Sequence, residues 1–506
     1  MPLKFVFGPS GSGKSTYLYQ HVIEESEKYP LKNFIVLVPE QFTMQTQKDL
    51  VSMHPRHGIM NIDVLSFARL AYRVFEETGT KQMQVLDDEG KNLILRKIAG
   101  DYENKLTVLK GNIKKLGYIS EVKSVISEFT QYDIGGEEMD EMLDHLDENS
   151  RLYYKLKDIR LLYEGFQDYL RERYITKEEL LDVLNSQVKE SELLKNSVVV
   201  LDGFTGFTPV QNRLILELMR CCKEVWVTVT MDERENPYAY KHPYQLFGLS
   251  KQMVTTLVRM AGEDHIDVEE PVCLYGYPVK RFEKNQELAF LERNIFRYGS
   301  GRYDKAVENL EIHAAGNPRQ EADAVAEGIR RLVRKEQYRY RDIGVIVSDM
   351  NVYGDYLEQA FENYGIPVFM DHKRSILLNS FVEYIRSLLN MAEKNFSYES
   401  VFRFLRTNLA GFACEEVDEL ENYVLGLGIR GYKGWQNRWI RRLKGMEEEE
   451  LDRLNHYRVQ LVEKVDNLMF VLKQKRKTVR DITMAVYEFM VCLLYTSPSP
   501  RDVEES

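Results

Sequence analysis

The 506-residue chain has few cysteines, no long uninterrupted apolar run and no excess of positive charge. Its five cysteines (Cys221, Cys222, Cys273, Cys414, Cys492) are scattered, without metal-ligand spacing and without the density of a secreted disulfide framework. They read as structural thiols of a reducing compartment. No apolar stretch approaches the roughly 20 residues that a membrane helix needs, and the N-terminus lacks the charged and apolar regions of a signal peptide. The expectation is a cytoplasmic protein with no membrane partner. A net charge of −11 excludes a surface coated with DNA-binding cations. It leaves room for a local basic channel, because affinity for nucleic acid follows where the cations sit rather than their sum. What the chain does have is apolar content, 44%, spread over a length beyond the roughly 250–300 residues that one core supports, so several domains are expected.

The organising stretch is Gly8-Pro9-Ser10-Gly11-Ser12-Gly13-Lys14-Ser15-Thr16, directly after the apolar run 3–7. A Gly-rich loop between a buried strand and a helix lets backbone N–H groups close around phosphates, and the helix N-terminus adds positive potential. Gly8, Ser10, Gly11, Ser12, Gly13, Lys14, Ser15 and Thr16 are therefore the expected ATP-binding residues, with Lys14 reaching the outer phosphates and the Ser15 hydroxyl offered to magnesium. A Gly/Ser turn that merely connects two elements would not need the lysine.

Runs 34–38 and 62–65 read as further parallel strands buried on both faces. The first ends in Pro39-Glu40-Gln41-Phe42-Thr43 and the second leads into Ser66-Phe67-Ala68-Arg69-Leu70-Ala71-Tyr72-Arg73. Loops at the carboxyl ends of such strands bind ligands in open α/β sheets. Arg69 and Arg73 lie four apart on one helical face with Tyr72 beside them, which offers charge and a stacking surface together; a partly buried helix start with solvated arginines reads equally well. From 86 to 197 the pattern turns helical, with Ile119, Val122, Ile126 and Phe129 and then Leu152, Leu156, Ile159, Phe166 and Leu170 recurring at threes and fours as core. The sheet resumes at 198–201, ending in Asp202, and at 225–230. An acidic residue closing such a strand holds magnesium in P-loop ATPases, while a strand-end turn former is the plainer reading of Asp202. Residues 241–302 carry no clear pattern. A second α/β unit is expected from strands 310–313, 343–347 and 367–370 with helices at 321–334 and between the last two strands, followed by a mainly helical region from 381. In it Lys433-Gly434-Trp435-Gln436-Asn437-Arg438-Trp439-Ile440-Arg441-Arg442 interleaves cations with tryptophans, suited to a nucleic-acid strand or to a solvated amphipathic helix.

Taken together, the P-loop, the loop at 38–43, the strand end Leu201-Asp202-Gly203-Phe204-Thr205-Gly206-Phe207-Thr208-Pro209-Val210-Gln211, and the stretches 340–347 and 365–371 resemble superfamily 1, UvrD-like helicases. The nearest likeness, over residues 1–490, is to the B subunits of bacterial ATP-dependent helicase/deoxyribonucleases, AddB-type. The resemblance implies an α/β fold of two RecA-like P-loop NTPase parallel-sheet domains with helical insertions. Its boundaries are 1–85 with 198–305 (first RecA-like domain), 86–197 (helical insertion), 306–390 (second RecA-like domain) and 391–491 (helical domain). It further implies a heterodimer with an AddA-type motor subunit, resection of double-stranded DNA breaks for recombination, and scanning of single-stranded DNA for a Chi hotspot. The positions matching the scanning surface are Gln41, Thr43, Phe67, Arg69, Tyr72, Phe204 and Phe207. ATP and magnesium, the latter on Ser15 and Asp202, are the implied cofactors.

Two departures qualify that picture. Gly203 stands where an active motor has a glutamate, and no Gly-Asp-x-x-Gln stretch follows 225–230, so nucleotide binding is expected with weak or absent hydrolysis. Whether the chain is itself an enzyme stays open, and an autonomous superfamily 1 helicase, a small-molecule kinase and a scaffold with a relic P-loop are the alternatives. The terminal 492–506 reads as a translated sequencing-adapter scar that does not continue the preceding helix. The family's nuclease domain and iron–sulfur cluster would lie beyond it and are not expected here.

Overall fold

Each of the five apolar runs in the first 230 residues becomes a strand in the computed structural model of the chain, which describes residues 2–79, 84–113, 115–171, 174–297, 299, 301–371 and 376–496. The strands are β1 (Leu3–Gly8), β2 (Asn33–Leu37), β3 (Ile62–Leu65), the short pair β4 (Gln84–Leu86) and β5 (Tyr174–Thr176), β6 (Ser197–Leu201), β7 (Glu224–Thr230) and β8 (Val272–Cys273). Six form one sheet in the order β3-β2-β6-β7-β1-β8, with parallel pairing throughout. The fold is α/β, as the apolar runs separated by helices imply.

Period-two alternation divides the sheet's side chains between two cores. Leu3, Phe5, Phe7, Ile35, Leu37, Val199, Leu201, Val225, Val227 and Val229 face one core, which the helices Phe67–Thr78 and Pro209–Cys221 help to cover. Val6, Phe34, Val36, Val198, Val200 and Trp226 face the other, under the helix Lys14–Lys28. Both faces are dry, which is why these strands read as continuous apolar runs. Two helices that follow strand ends start on side-chain caps, one directly after β3 and the other past the loop 202–207 that leaves β6. Ser66 accepts from Arg69 N at 3.4 Å, and Thr208 and Gln211 form a capping box with Pro209 at the first turn.

The helical insertion has its own core, built from Leu95, Ile98, Ile119, Val122, Ile126, Ile159, Leu162, Phe166 and Leu170. Leu152, expected on that buried stripe, is instead exposed at the first turn of the helix Arg151–Leu170. Buried Asp158 ties the insertion together by accepting from the backbone N–H groups of Thr107, Val108 and Leu109 at 2.8–3.1 Å and from the Thr107 hydroxyl at 2.9 Å. The tail of the expected insertion returns to the sheet, since Leu180, Leu184, Val188 and Leu194 join the core beside Val199.

The chain divides into two compact units, Met1–Ile312 and His313–Ser506. In the second, the helices Pro318–Lys335 and Met350–Asn363 pack through Ala322, Ala326, Leu357, Ala360 and Phe361. The segments 310–313, 343–347 and 367–370, expected as strands, are in no ladder among the described residues. A strand exists by pairing, and here Ile346 and Phe369 stand 100% and 88% exposed instead. Segments 343–347 and 366–371 line an apolar cavity of about 770 Å³ with Ile329, Leu357 and Phe361. The helical remainder is organised around Tyr384, Phe404, Tyr423, Leu461 and Val465. Trp435 and Trp439 belong to that core, 1% and 6% exposed, with the Trp439 indole donating to Gly434 O at 2.9 Å. They are packing residues, not a stacking platform for bases, and past the short helix Tyr432–Gln436 the stretch is not helical. The helix Val479–Thr496 continues past Met490 into the stretch read as a scar, whose residues 497–506 lie outside the described residues.

Candidate functional site

The loop between β1 and the helix Lys14–Lys28 is folded as phosphate chemistry requires. Gly11 and Gly13 take φ of +83° and +94°, which side-chain-bearing residues rarely adopt, and both line one cavity with Lys14. Gly13 sits at the N-cap without any side-chain hydrogen bond, so the first-turn amides keep their donors for a ligand. Lys14 folds back, its Nζ donating to Gly8 O at 2.9 Å and Pro9 O at 3.0 Å. Burial, reinforced by Arg281 and opposed by Asp202, lowers its pKa to about 8. The cavity, about 470 Å³, is lined by Ser10, Gly11, Gly13, Lys14, Ser15 and Thr16, by Asp202 to Thr205, and by Thr228, Thr230, Lys280 and Arg281.

Asp202 follows β6 with the parity of Val198 and Val200, so its carboxylate turns to the face covered by the helix Lys14–Lys28. There Tyr19 donates to Oδ2 at 2.7 Å and Thr228 to Oδ1 at 2.6 Å, and Tyr19 also meets Thr46 at 3.3 Å. Burial and the adjacent carboxylate push the Tyr19 phenol well above its ordinary value of 10.0. Asp202 borders the cavity, but both of its oxygens are already engaged, which suits it only in part to a magnesium ion. Gly203 follows with φ +79° and carries no side chain that could activate water. Among the described residues no group of three or more His, Cys, Asp or Glu side chains is arranged to hold a metal.

β2, β3 and β6 are neighbours, so the loops that leave their carboxyl ends lie side by side. Gln41 and Arg69 are exposed, and Tyr72 is 45% exposed. Phe67, by contrast, is buried, its ring 5.4 Å from Phe204 and 6.4 Å from Phe207, which are themselves 5.2 Å apart and half-buried. Thr43 is buried as well, its hydroxyl donating to Glu40 O at 3.0 Å. Of the seven expected DNA-contacting residues, Gln41, Arg69 and Tyr72 present open surface, Phe204 and Phe207 present edges, and Phe67 and Thr43 support the others from within.

A profile of the family described as ADDB, N-terminal, matches residues 5–292, which carry the whole of this site. The chain belongs to the AddB family. It is 42% identical over 497 residues to the B subunit of the ATP-dependent helicase/deoxyribonuclease of Lachnoclostridium phytofermentans, covering 97% of this chain and 43% of that protein. Proteins of the same name in Caldanaerobacter subterraneus subsp. tengcongensis and Clostridium kluyveri are 35% and 34% identical, over 97% and 100% of this chain and 43% and 44% of theirs. The chain thus spans less than half the length of these AddB relatives.

Sequence reasoning missed Thr205, Thr228, Thr230, Lys280 and Arg281 in the lining of this cavity, and Tyr19 as the partner of Asp202. Thr228 could have been found, as a polar residue at the parity of buried Trp226 in a mainly apolar strand. Lys280 and Arg281 lie in a stretch without periodicity, brought to the P-loop only because the two-residue strand β8 pairs with β1. No helix among the described residues is long and apolar enough to cross a membrane.

Proposed function

We propose that this chain is the helicase-like part of an AddB-type protein that pairs with an AddA-type partner in the cytoplasm to process double-stranded DNA breaks, and that it reads single-stranded DNA for a Chi hotspot. In this reading residues 1–85 with 198–305 form the first RecA-like domain and 86–197 its insertion. Residues 306–390 belong to a second RecA-like domain and 391–491 to a helical domain. The P-loop holds ATP, with Ser15 and Asp202 as the residues that would hold its magnesium, which supplies charge neutralisation at the phosphates. The loops carrying Gln41, Arg69, Tyr72, Phe204 and Phe207 take the DNA strand, by stacking and by polar contacts to base edges. The iron–sulfur cluster and the nuclease belong to the part of the full-length protein that this chain does not span.

The observation that carries the reading is Asp202. Its two oxygens accept from Tyr19 and Thr228, and the next residue is Gly203, so among the described residues the cavity beside the P-loop lacks the second carboxylate with which a motor activates water. This favours a binding and scanning protein over an autonomous helicase. Titration with labelled single-stranded DNA, beside an ATPase assay with and without that DNA, tests it. The expected result is DNA binding that weakens steeply with salt and little DNA-stimulated turnover. DNA-stimulated ATPase activity abolished by Lys14→Ala would instead establish a motor.

A further inference from the structure

A strap of chain runs from the sheet edge across the mouth of the P-loop. It starts where β8 pairs with β1, is fastened by Leu274 N donating to Phe7 O at 2.7 Å, and closes in a single 3₁₀ turn, Lys280–Phe282, behind buried Val279. Arg281 N donates to Gly11 O at 3.0 Å, a bond from the strap to the phosphate loop itself. The approach is close. A Cβ on Gly11 would lie 2.8 Å from Arg281 Cβ, and one on Gly13 would lie 3.4 Å from Lys280 Cδ.

Both side chains are exposed, line the same cavity as Lys14, Ser15 and Thr16, and form no ion pair with the described residues. The cavity wall therefore carries three cations (Lys14, Lys280, Arg281) against one carboxylate, Asp202, whose oxygens are taken, with Glu292 the other acid near enough to act on Lys14. Cations crowded on one cavity wall without a free carboxylate among them repel one another unless an anion sits between them. The loop and Lys14 suffice for a single phosphate, whereas two further cations beside Gly11 and Gly13 call for a longer anion.

We propose that Lys280 and Arg281 are phosphate-binding residues that clamp the outer phosphates of a nucleoside di- or triphosphate against the P-loop. This rests on the nucleotide-binding reading above. Arg281 presents a planar fork suited to two phosphate oxygens and Lys280 a mobile point charge, so the first sets geometry and the second adds attraction.

Calorimetric titration of the chain with magnesium–ATP, magnesium–ADP and inorganic tripolyphosphate at two salt concentrations separates the two claims. Arg281→Gln keeps the stem that packs on Gly11, and Lys280→Met keeps the stem beside Gly13 while removing the charge. Each is expected to weaken ATP and tripolyphosphate about tenfold to a hundredfold, the worth of a charge-assisted hydrogen bond. The double variant should also flatten the salt dependence, which loss of packing alone would not do. Lys284→Ala, a nearby exposed lysine outside the cavity, should stay within twofold of the parent. If the double variant binds ATP within twofold of the parent while Lys14→Ala abolishes binding, the clamp is wrong and the nucleotide reading stands. If the parent takes up neither ATP nor tripolyphosphate, both fall.

Discussion

Replacing Lys14 by Met should stabilise the protein while removing its response to nucleotide. The lysine is largely buried among the P-loop carbonyls, and its pKa is lowered from 10.5 to about 8. At about 1.4 kcal/mol for each pH unit, that corresponds to roughly 3 kcal/mol by which the folded state disfavours the ammonium at neutral pH. Met keeps the length and volume of the stem but leaves Gly8 O and Pro9 O without their donor, which subtracts about 1 kcal/mol or more unless water replaces it. The expected net gain is about 1–2 kcal/mol. It has a pH signature: between pH 8 and 10.5 the unfolded chain holds the proton and the folded chain does not, so the parent gains stability as pH rises through that window and closes the gap on the variant. Below pH 8 the variant's advantage is complete. With nucleotide at a hundred times its dissociation constant, the parent should gain about 2.7 kcal/mol and the variant nothing. The assay is a urea titration of 5-fluorotryptophan-labelled protein followed by fluorine NMR, because Trp226 lies in the first unit and Trp435 and Trp439 in the second, so three resonances report two unfolding events separately. A Lys14→Met protein that is less stable than the parent at pH 7, or a gap that widens above pH 8, would refute the account of a strained, desolvated lysine waiting for phosphate.

Tyr19→Phe removes the donor to Asp202 Oδ2 and should cost about 1.5–3 kcal/mol in the Trp226 transition. Because the folded phenol titrates above its unfolded value near 10, the parent's margin over the variant is full below that pH and declines above it. Phe67→Ala should cost about 3–5 kcal/mol of first-unit stability, as a buried aromatic does, whereas Tyr72→Ala should leave stability within about 0.5 kcal/mol and weaken single-stranded DNA binding by about 1–3 kcal/mol. Equal effects of the two on DNA binding at unchanged stability would reverse this assignment. Asp158→Ala strands three backbone amides inside the insertion and should cost about 3 kcal/mol or more, read as faster hydrogen exchange over residues 105–113 with β1 and β7 unaffected.

The first sheet was legible because its strands are buried on both faces, so an apolar run of five residues between turn signals has little else to become. Where one face needs a partner that is not there, the same signal misleads. Residues 343–347 and 367–370 have the composition of strands, yet among the described residues they pair with no neighbour, and Ile346 and Phe369 are exposed. Composition reports what a segment would bury, not whether the described chain brings a neighbour to bury it. Trp435 and Trp439 show the converse. Cations beside tryptophans resemble a nucleic-acid surface, but a large ring in a chain with few tryptophans gains most from burial, and both rings went to the core.

The candidate site divides along the same line. The bend of the P-loop could be expected from local spacing, because it is backbone geometry set by adjacent residues, with Gly11 and Gly13 at positive φ. Asp202 could be located but not interpreted, since what decides its chemistry is Tyr19, 183 residues away in sequence, and Thr228, 26 away on the next strand. Phe67 was assigned to DNA by residue type and loop position, both correct descriptions. Its own helix nonetheless turns it inward against Phe204 and Phe207 while Tyr72 turns out. One helix thus divides its aromatics between holding the loops together and facing solvent, a division set by the 3.6-residue period acting at a sheet edge. The residues that the period leaves out of the core are Arg69 and Tyr72, so they are the ones on which the proposed recognition of DNA rests, and a search for stacking surfaces in such loops should begin from the outward phase of the helix rather than from the count of aromatics.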